Sequence, residues 1–207
     1  MSNIFFHPHI GKQYDKGICG KKVLVIGASF YCDKTDCQHY YDCTSNSKKD
    51  SSLYDTICPY YDTELHNAPS EESGKAYDIF ADKMQSILNL NEPFWDSVAF
   101  TNYIQFFLPD WRTKHRYCSD RDSAALMEVI EKLRPDIIFI WGCVINEHIK
   151  TKFADDITII DNTDGYLWNW IISDKTIKVV NTYHPTYSGF CDGGLIDAYV
   201  RKAFLEL

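Results

Sequence analysis

Apolar residues in this chain fall into short unbroken runs, separated by stretches in which they recur at helical spacing. Lys22-Val23-Leu24-Val25-Ile26-Gly27 is a continuous apolar run closed by glycine, the pattern of a strand covered on both faces. Ser97 to Thr101 and Asp136-Ile137-Ile138-Phe139-Ile140-Trp141-Gly142 have the same character. Between them, Ala76, Ile79, Phe80, Lys83, Met84, Ile87 and Leu88 predict a helix, with Lys83 as its single polar break. Ser119-Asp120-Arg121-Asp122 predicts a capping box opening a second helix that buries Leu126, Val129, Ile130 and Leu133 and stops before Pro135. A short helix near Val144 to Lys150 and a strand at Ile157 to Ile160 follow. Tyr166 to Ser173 and Thr176 to Asn181 predict a hairpin around Asp174-Lys175, its first arm open to a helical alternative. A last helix from Gly194 buries Leu195, Ile196, Tyr199, Val200, Ala203 and Phe204.

Strands alternating with helices predict an α/β fold of three layers, α/β/α. The expected sheet is mostly parallel, with about four strands plus a possible edge hairpin. Residues 1–21 read as an extended lead-in. Residues 31–69 are polar, cysteine-rich and aperiodic, a long insertion after the first strand of what is otherwise a single domain over 1–207. Hydrophobic residues make up 45% and charged ones 24% of the 207, which excludes a disordered or fibrous chain. No apolar run is long enough to cross a bilayer and no basic leader precedes one. The expected setting is therefore cytoplasmic, without a membrane partner.

The net charge of −8 argues against a broad electrostatic footprint on nucleic acid. Two basic groups remain candidate local contacts or solvated loop charge: Lys12, Lys16, Lys21 and Lys22 near the first strand, and Arg112, Lys114, His115 and Arg116 after the second. The dinucleotide fingerprint G-x-G-x-x-G and the P-loop signature are both absent after the first strand.

In an open α/β sheet, ligands bind beyond the carboxyl ends of the strands. Three of the predicted strands end there in Gly27-Ala28-Ser29-Phe30-Tyr31, Thr101-Asn102-Tyr103 and Thr182-Tyr183-His184-Pro185-Thr186. With Arg134-Pro135-Asp136 leading into Ile137 to Gly142, this order resembles the uracil-DNA glycosylase superfamily over about residues 22–205. The branch it is most similar to has T-N-V after its second strand and K-P before its third. The resemblance implies a DNA glycosylase-like hydrolase of N-glycosyl bonds, with DNA or a free nucleobase or nucleotide as partner.

Residue by residue, it implies that Asn102 reads the base edge through its amide. It implies that His184 stabilises charge on the departing base. The segment Pro185-Thr186-Tyr187-Ser188-Gly189 would press on the DNA backbone, with Pro185, Thr186 and Ser188 among the binding residues. Gly27, Ala28, Phe30, Tyr31 and Tyr103 would line the base or sugar. Ser29 stands where other branches place a water-activating residue, and Asp33 is the nearest carboxylate to substitute for it. Phe30 replaces the family's proline and is open to stacking or to packing.

Eight cysteines are many for this length. Cys32, Cys37, Cys43 and Cys58 offer thiolates for zinc or an iron–sulfur cluster, but lack the tight C-x2–4-C pair. No cofactor is expected, with reduced thiols the expected state. Two further functional classes stay open. One is a module of the same fold that binds a nucleobase, nucleotide or nucleic-acid end without turnover. The other is a small-molecule hydrolase or transferase using Cys32 or Cys37 as nucleophile.

Overall fold

The computed structural model describes residues 3–4, 6–30, 75–105, 118–159, 166–191 and 194–205. Its strands are β1 (His9–Ile10), β2 (Val23–Gly27), β3 (Val98–Asn102), β4 (Ile137–Trp141), β5 (Ile157–Ile159), β6 (Leu167–Ile172) and β7 (Lys175–Thr182). Its helices are α1 (Lys75–Leu88), α2 (Asp120–Leu133), α3 (Cys143–Lys152), the short α4 (Ser188–Cys191) and α5 (Gly194–Leu205). The protein is α/β, and its single sheet runs β1-β3-β2-β4-β7-β6-β5.

That sheet is larger and more mixed than the expected four strands with an edge hairpin. Strands β3, β2, β4 and β7 are parallel neighbours and form the centre. β1, from the segment read as a lead-in, adds an antiparallel partner to β3, with His9 opposite Phe100. The hairpin is not at an edge. β7 pairs with β4, and β6 is interior because β5 pairs with its outer side. The first arm of the hairpin is extended, since Trp168, Trp170 and Ile172 alternate onto one buried face. A two-residue turn, with Ser173 at φ 53°, joins the arms.

Both faces of the sheet are covered by helices, and every residue of β2, β3 and β4 is buried. Leu24, Ile26, Ile138, Ile140 and Val179 pack against Leu126, Val129, Ile130 and Leu133 of α2 and Ile145 and Ile149 of α3. Val23, Val25, Phe100, Phe139, Trp141 and Val180 face Phe80, Met84 and Ile87 of α1 and Ile196, Val200 and Phe204 of α5. Lys83, the polar break in α1, bridges these two helices through an ion pair of 2.7 Å with Asp197. The capping box of α2 forms as its sequence predicts. The Ser119 side chain accepts from the Asp122 amide, and the Asp122 carboxylate accepts from the Ser119 amide at 2.7 Å. Arg134 closes α2 in the left-handed region at φ 48°.

The chain leaves β2 for β3 on one side and then crosses to β4 on the other, so the direction of winding reverses at β2. Such a switch point opens a crevice at the carboxyl ends of the strands. The opposite ends are stapled by Asp136. Its carboxylate accepts from the Lys22 amide at 2.7 Å and pairs with Lys175 Nζ at 2.8 Å, joining the starts of β2, β4 and β7. Burial opposes ionisation of Asp136, but Lys175 and the Lys22 amide outweigh it and hold the carboxyl below its ordinary value.

A depressed carboxyl contributes stability above its unfolded pKa, near 4, and loses that contribution as pH falls toward the native value. Asp136→Asn is therefore expected to lower stability by about 1–3 kcal/mol at neutral pH. In urea unfolding the gap between the two proteins should shrink as pH drops from about 5 to about 3. A gap that stays constant across that range would show that the Asp136 charge does not act as the staple.

Candidate functional site

Period-2 alternation and strand register decide what meets at the crevice. Gly27 is paired with Asn102, Ile26 with Ile140, and Trp141 with Thr182, so the carboxyl ends of β3, β2, β4 and β7 finish level. Phe100 and Asn102, two residues apart, share the face that carries α1 and α5. Trp141 joins them there. Above this row lies a cavity of about 280 Å³, lined by Gly27, Ala28, Ser29, Phe30, Ala76, Tyr77, Phe100, Asn102, Trp141 and His184. Its size is near the lower end of small-molecule sites, roughly 300 Å³ and above, and suits a single ring system better than a dinucleotide.

Asn102 and His184, about 80 residues apart in sequence, thus line one cavity. Asn102 is 4% exposed, and its Nδ2 has no hydrogen-bond partner among the described residues. Trp141 Nε1 is a second buried donor without one. A buried donor left unpaired costs about 1–3 kcal/mol; Trp95 Nε1 and Trp170 Nε1, which do not line the cavity, are likewise without a partner among the described residues. The backbone beyond Asn102 is fixed firmly. Its carbonyl accepts from Gln105 Nε2 at 2.8 Å, the Gln105 amide donates to Asp122 Oδ1 at 2.8 Å, and the Phe6 amide donates to Gln105 Oε1. Burial pushes the Asp122 carboxyl above its usual range, against the donors from Gln105 and Ser119.

Gly27 is required by close approach rather than by its backbone angle. A Cβ there would lie 2.5 Å from Asn102 Oδ1 and 2.9 Å from Phe100 Cζ. His184 is half-buried. Its Nδ1 is 2.9 Å from Thr186 Oγ1 and accepts a longer bond, 3.4 Å, from the Thr186 amide. The tautomer with its proton on Nε2 is the one that lets Nδ1 accept from the Thr186 amide. Trp141 meets the His184 ring edge-on at 6.0 Å, and the rings of Tyr77, Phe100 and Trp141 lie 5.1 to 5.3 Å apart in a packed aromatic floor.

Of the residues singled out in the sequence, Gly27, Ala28, Ser29, Phe30, Asn102 and His184 come together in this cavity. The Ser29 hydroxyl donates to the Phe30 carbonyl at 2.9 Å, and Phe30 both lines the cavity and packs edge-on against Phe6 at 4.8 Å. Tyr103 does not line the cavity. One residue beyond Asn102, it turns to the opposite face, is fully buried, and pairs its hydroxyl with Ser123 at 2.8 Å. Pro185 is buried, exposed Thr186 holds the His184 ring, and Ser188 opens α4. Tyr31, Asp33, Cys32, Cys37, Cys43, Cys58, and the basic residues Arg112, Lys114, His115 and Arg116 lie outside the described residues. Lys22 stands at the far end of β2 from the cavity and pairs with Asp15, while Lys12 pairs with Asp96.

Ala76, Tyr77, Phe100 and Trp141 were not singled out as site residues. Phe100 and Trp141 carried a usable signal, since both sit on the same face and level as the strand-end polar groups. Tyr77 carried none, because α1 alone brings it there. A second depression, of about 420 Å³, lies on the α2 and α3 side and is lined by Cys118, Cys143, Val144, Glu147, His148 and Thr151. Burial pushes the Cys118 thiol up to about 11 and lowers His148. A thiol so shifted is protonated at neutral pH and is no nucleophile. No protein-family model matches the chain, and no curated protein matches it in sequence.

Gly27→Ala is expected to displace the Asn102 amide and to destabilise the protein by about 1–3 kcal/mol, read as a lower Tm. An unchanged Tm would mean that the two strand ends have slack the geometry does not show. At pH 7, iodoacetamide should modify the exposed Cys19 well before Cys118, as followed by peptide mass spectrometry.

Proposed function

We propose that the protein is a DNA glycosylase-like hydrolase that takes one extruded, deaminated base into the strand-end cavity. The observation that carries this is the shared cavity of Asn102 and His184, with the Asn102 amide buried and its Nδ2 without a partner among the described residues. An amide presents a donor and an acceptor side by side, the complement of a uracil-type edge with its carbonyl and ring N–H. A base presenting the wrong edge would leave the amide unpaired in a buried site, which discriminates strongly. The rings of Tyr77, Phe100 and Trp141, inclined at 52–69° to one another, give the cavity an aromatic wall against which a planar ring can pack.

In the reaction, the bond between the sugar C1′ and the base nitrogen breaks and its electron pair leaves with the base. Water adds to C1′, and its proton ends on the base or on solvent. Negative charge collects on the leaving pyrimidine, and an imidazole with its proton on Nε2 is a donor suited to that charge. A base-binding module without turnover has one specific observation in its favour. Among the described residues lining the cavity there is no carboxylate, and the Ser29 hydroxyl is already directed to the Phe30 carbonyl.

Wild-type protein should release uracil from deoxyuridine-containing oligonucleotides, and His184→Ala should lower the rate by about 10²–10³-fold. Asn102→Leu should abolish any uracil-induced rise in Tm while leaving the unliganded Tm equal to or above that of wild type, since it removes an unpaired buried donor. A uracil-induced Tm rise without release would select the binding module. No release and no Tm shift with uracil, hypoxanthine or xanthine would end both.

A further inference from the structure

The chain ahead of β2 reaches the strand-end cavity through one buried ring. Phe6 is 2% exposed and meets Phe30, a cavity-lining residue, edge-on at 4.8 Å with 82° between the ring planes. Its backbone is held as well as its ring. The Phe6 amide donates to Gln105 Oε1 at 3.0 Å, across 99 positions of chain. Gln105 Nε2 donates at 2.8 Å to the carbonyl of Asn102. One buried side-chain amide therefore joins the ring behind Phe30 to the strand end that carries the Asn102 amide. Asn3 is clamped to α2. Its amide and its Nδ2 donate to Glu128 Oε1 at 3.0 and 2.6 Å, and its carbonyl accepts from Arg121 Nε at 3.3 Å. A side-chain amide used as donor and acceptor at once sets the separation of the two groups it joins.

We infer that Phe6 is a specificity-determining residue that acts through Phe30. Clamped by Gln105, and by Asn3 on α2, it fixes how far the Phe30 ring stands from the Asn102 amide and holds the cavity to the width of one ring. This rests on base binding at the strand-end cavity as proposed above. Phe30 is half-buried, with the cavity on one side and Phe6 on another. Protein interiors are packed densely enough that a wall backed by a buried ring yields little, whereas a wall backed by a void retreats. A second fused ring needs the room that such a retreat opens. A single ring loses contacts when the wall moves away from it. Phe6 touches no ligand in this scheme, so its effect is on the choice between bases rather than on the bond that breaks.

The test is thermal unfolding of the full chain titrated with free uracil and, separately, with free hypoxanthine, the rise in Tm giving an apparent Kd for each base. Wild type should bind uracil more tightly than hypoxanthine. Phe6→Leu keeps the backbone bond to Gln105 and empties space behind Phe30. It should weaken uracil binding and leave hypoxanthine equal or tighter, moving the ratio of the two Kd values by about tenfold toward hypoxanthine. Glu128→Ala, which does not alter a cavity residue, frees Asn3 and should move the ratio the same way by about threefold. It carries the test if Phe6→Leu does not fold. A purely structural role lowers the unliganded Tm and leaves the ratio where it was. An unchanged ratio in Phe6→Leu, or in Glu128→Ala where Phe6→Leu does not fold, overturns the proposal while base binding stands. Wild type binding both bases equally overturns it too. If wild type binds neither base, both readings fall.

Discussion

The level finish of four parallel strands is the constraint on which the site depends. Backbone pairing places Gly27 beside Asn102 and Trp141 beside Thr182, and the two-residue period then decides which side chains share a face. A slip of one residue between β2 and β3 would put Thr101 opposite Gly27 and send the Asn102 amide to the α2 side. The missing side chain at position 27 is part of the same constraint. A Cβ there would occupy the place of the Asn102 amide, 2.5 Å from its Oδ1. Register is itself secured from the far end, where Asp136 joins the starts of three strands.

Around this frame the molecule divides its polar groups into two kinds. Gln105, Asp122 and Ser119 are buried or half-buried and bonded to one another, so they fix the turn beyond Asn102 and have nothing left to offer a ligand. Asn102 Nδ2 and Trp141 Nε1 are buried without hydrogen-bond partners among the described residues. Satisfied networks give rigidity, whereas unsatisfied donors cost stability and persist where another pressure keeps them. The aromatic floor belongs to core and cavity alike, since Phe100 and Trp141 contribute to the one and line the other.

Much of this was legible in the chain, and the failures have physical causes. β2, β3 and β4 announced themselves as unbroken apolar runs because both their faces are covered, and the start of α2 was written in Ser119 and Asp122. β1 was not legible, since two residues on a sheet edge carry no period. Nor was the place of the hairpin, because strand order is set by tertiary packing and not by turn chemistry. Asn102 and His184 could be paired from their positions at strand ends. Tyr103 was misplaced because grouping it with Asn102 as a motif ignores that consecutive strand residues point to opposite faces. Tyr77 enters the cavity through the packing of α1, which no local pattern encodes.

The electrostatics of the cavity bear on what chemistry it can support. Its described lining contains one imidazole, one phenol and otherwise amide, hydroxyl, aromatic and backbone groups, in a protein of net charge −8. Among the described lining residues there is no carboxylate to face a developing cation on a sugar, and the His184 imidazole is the ring there able to exchange a proton with water. What the lining does offer is donors. A reaction matched to it concentrates its difficulty in the leaving group, where a neutral imidazole and unpaired N–H groups can receive negative charge in a site of low dielectric. Loss of a base as an anion, as proposed, would use those donors at the leaving group, while the sugar cation it leaves behind meets no carboxylate among the described lining residues.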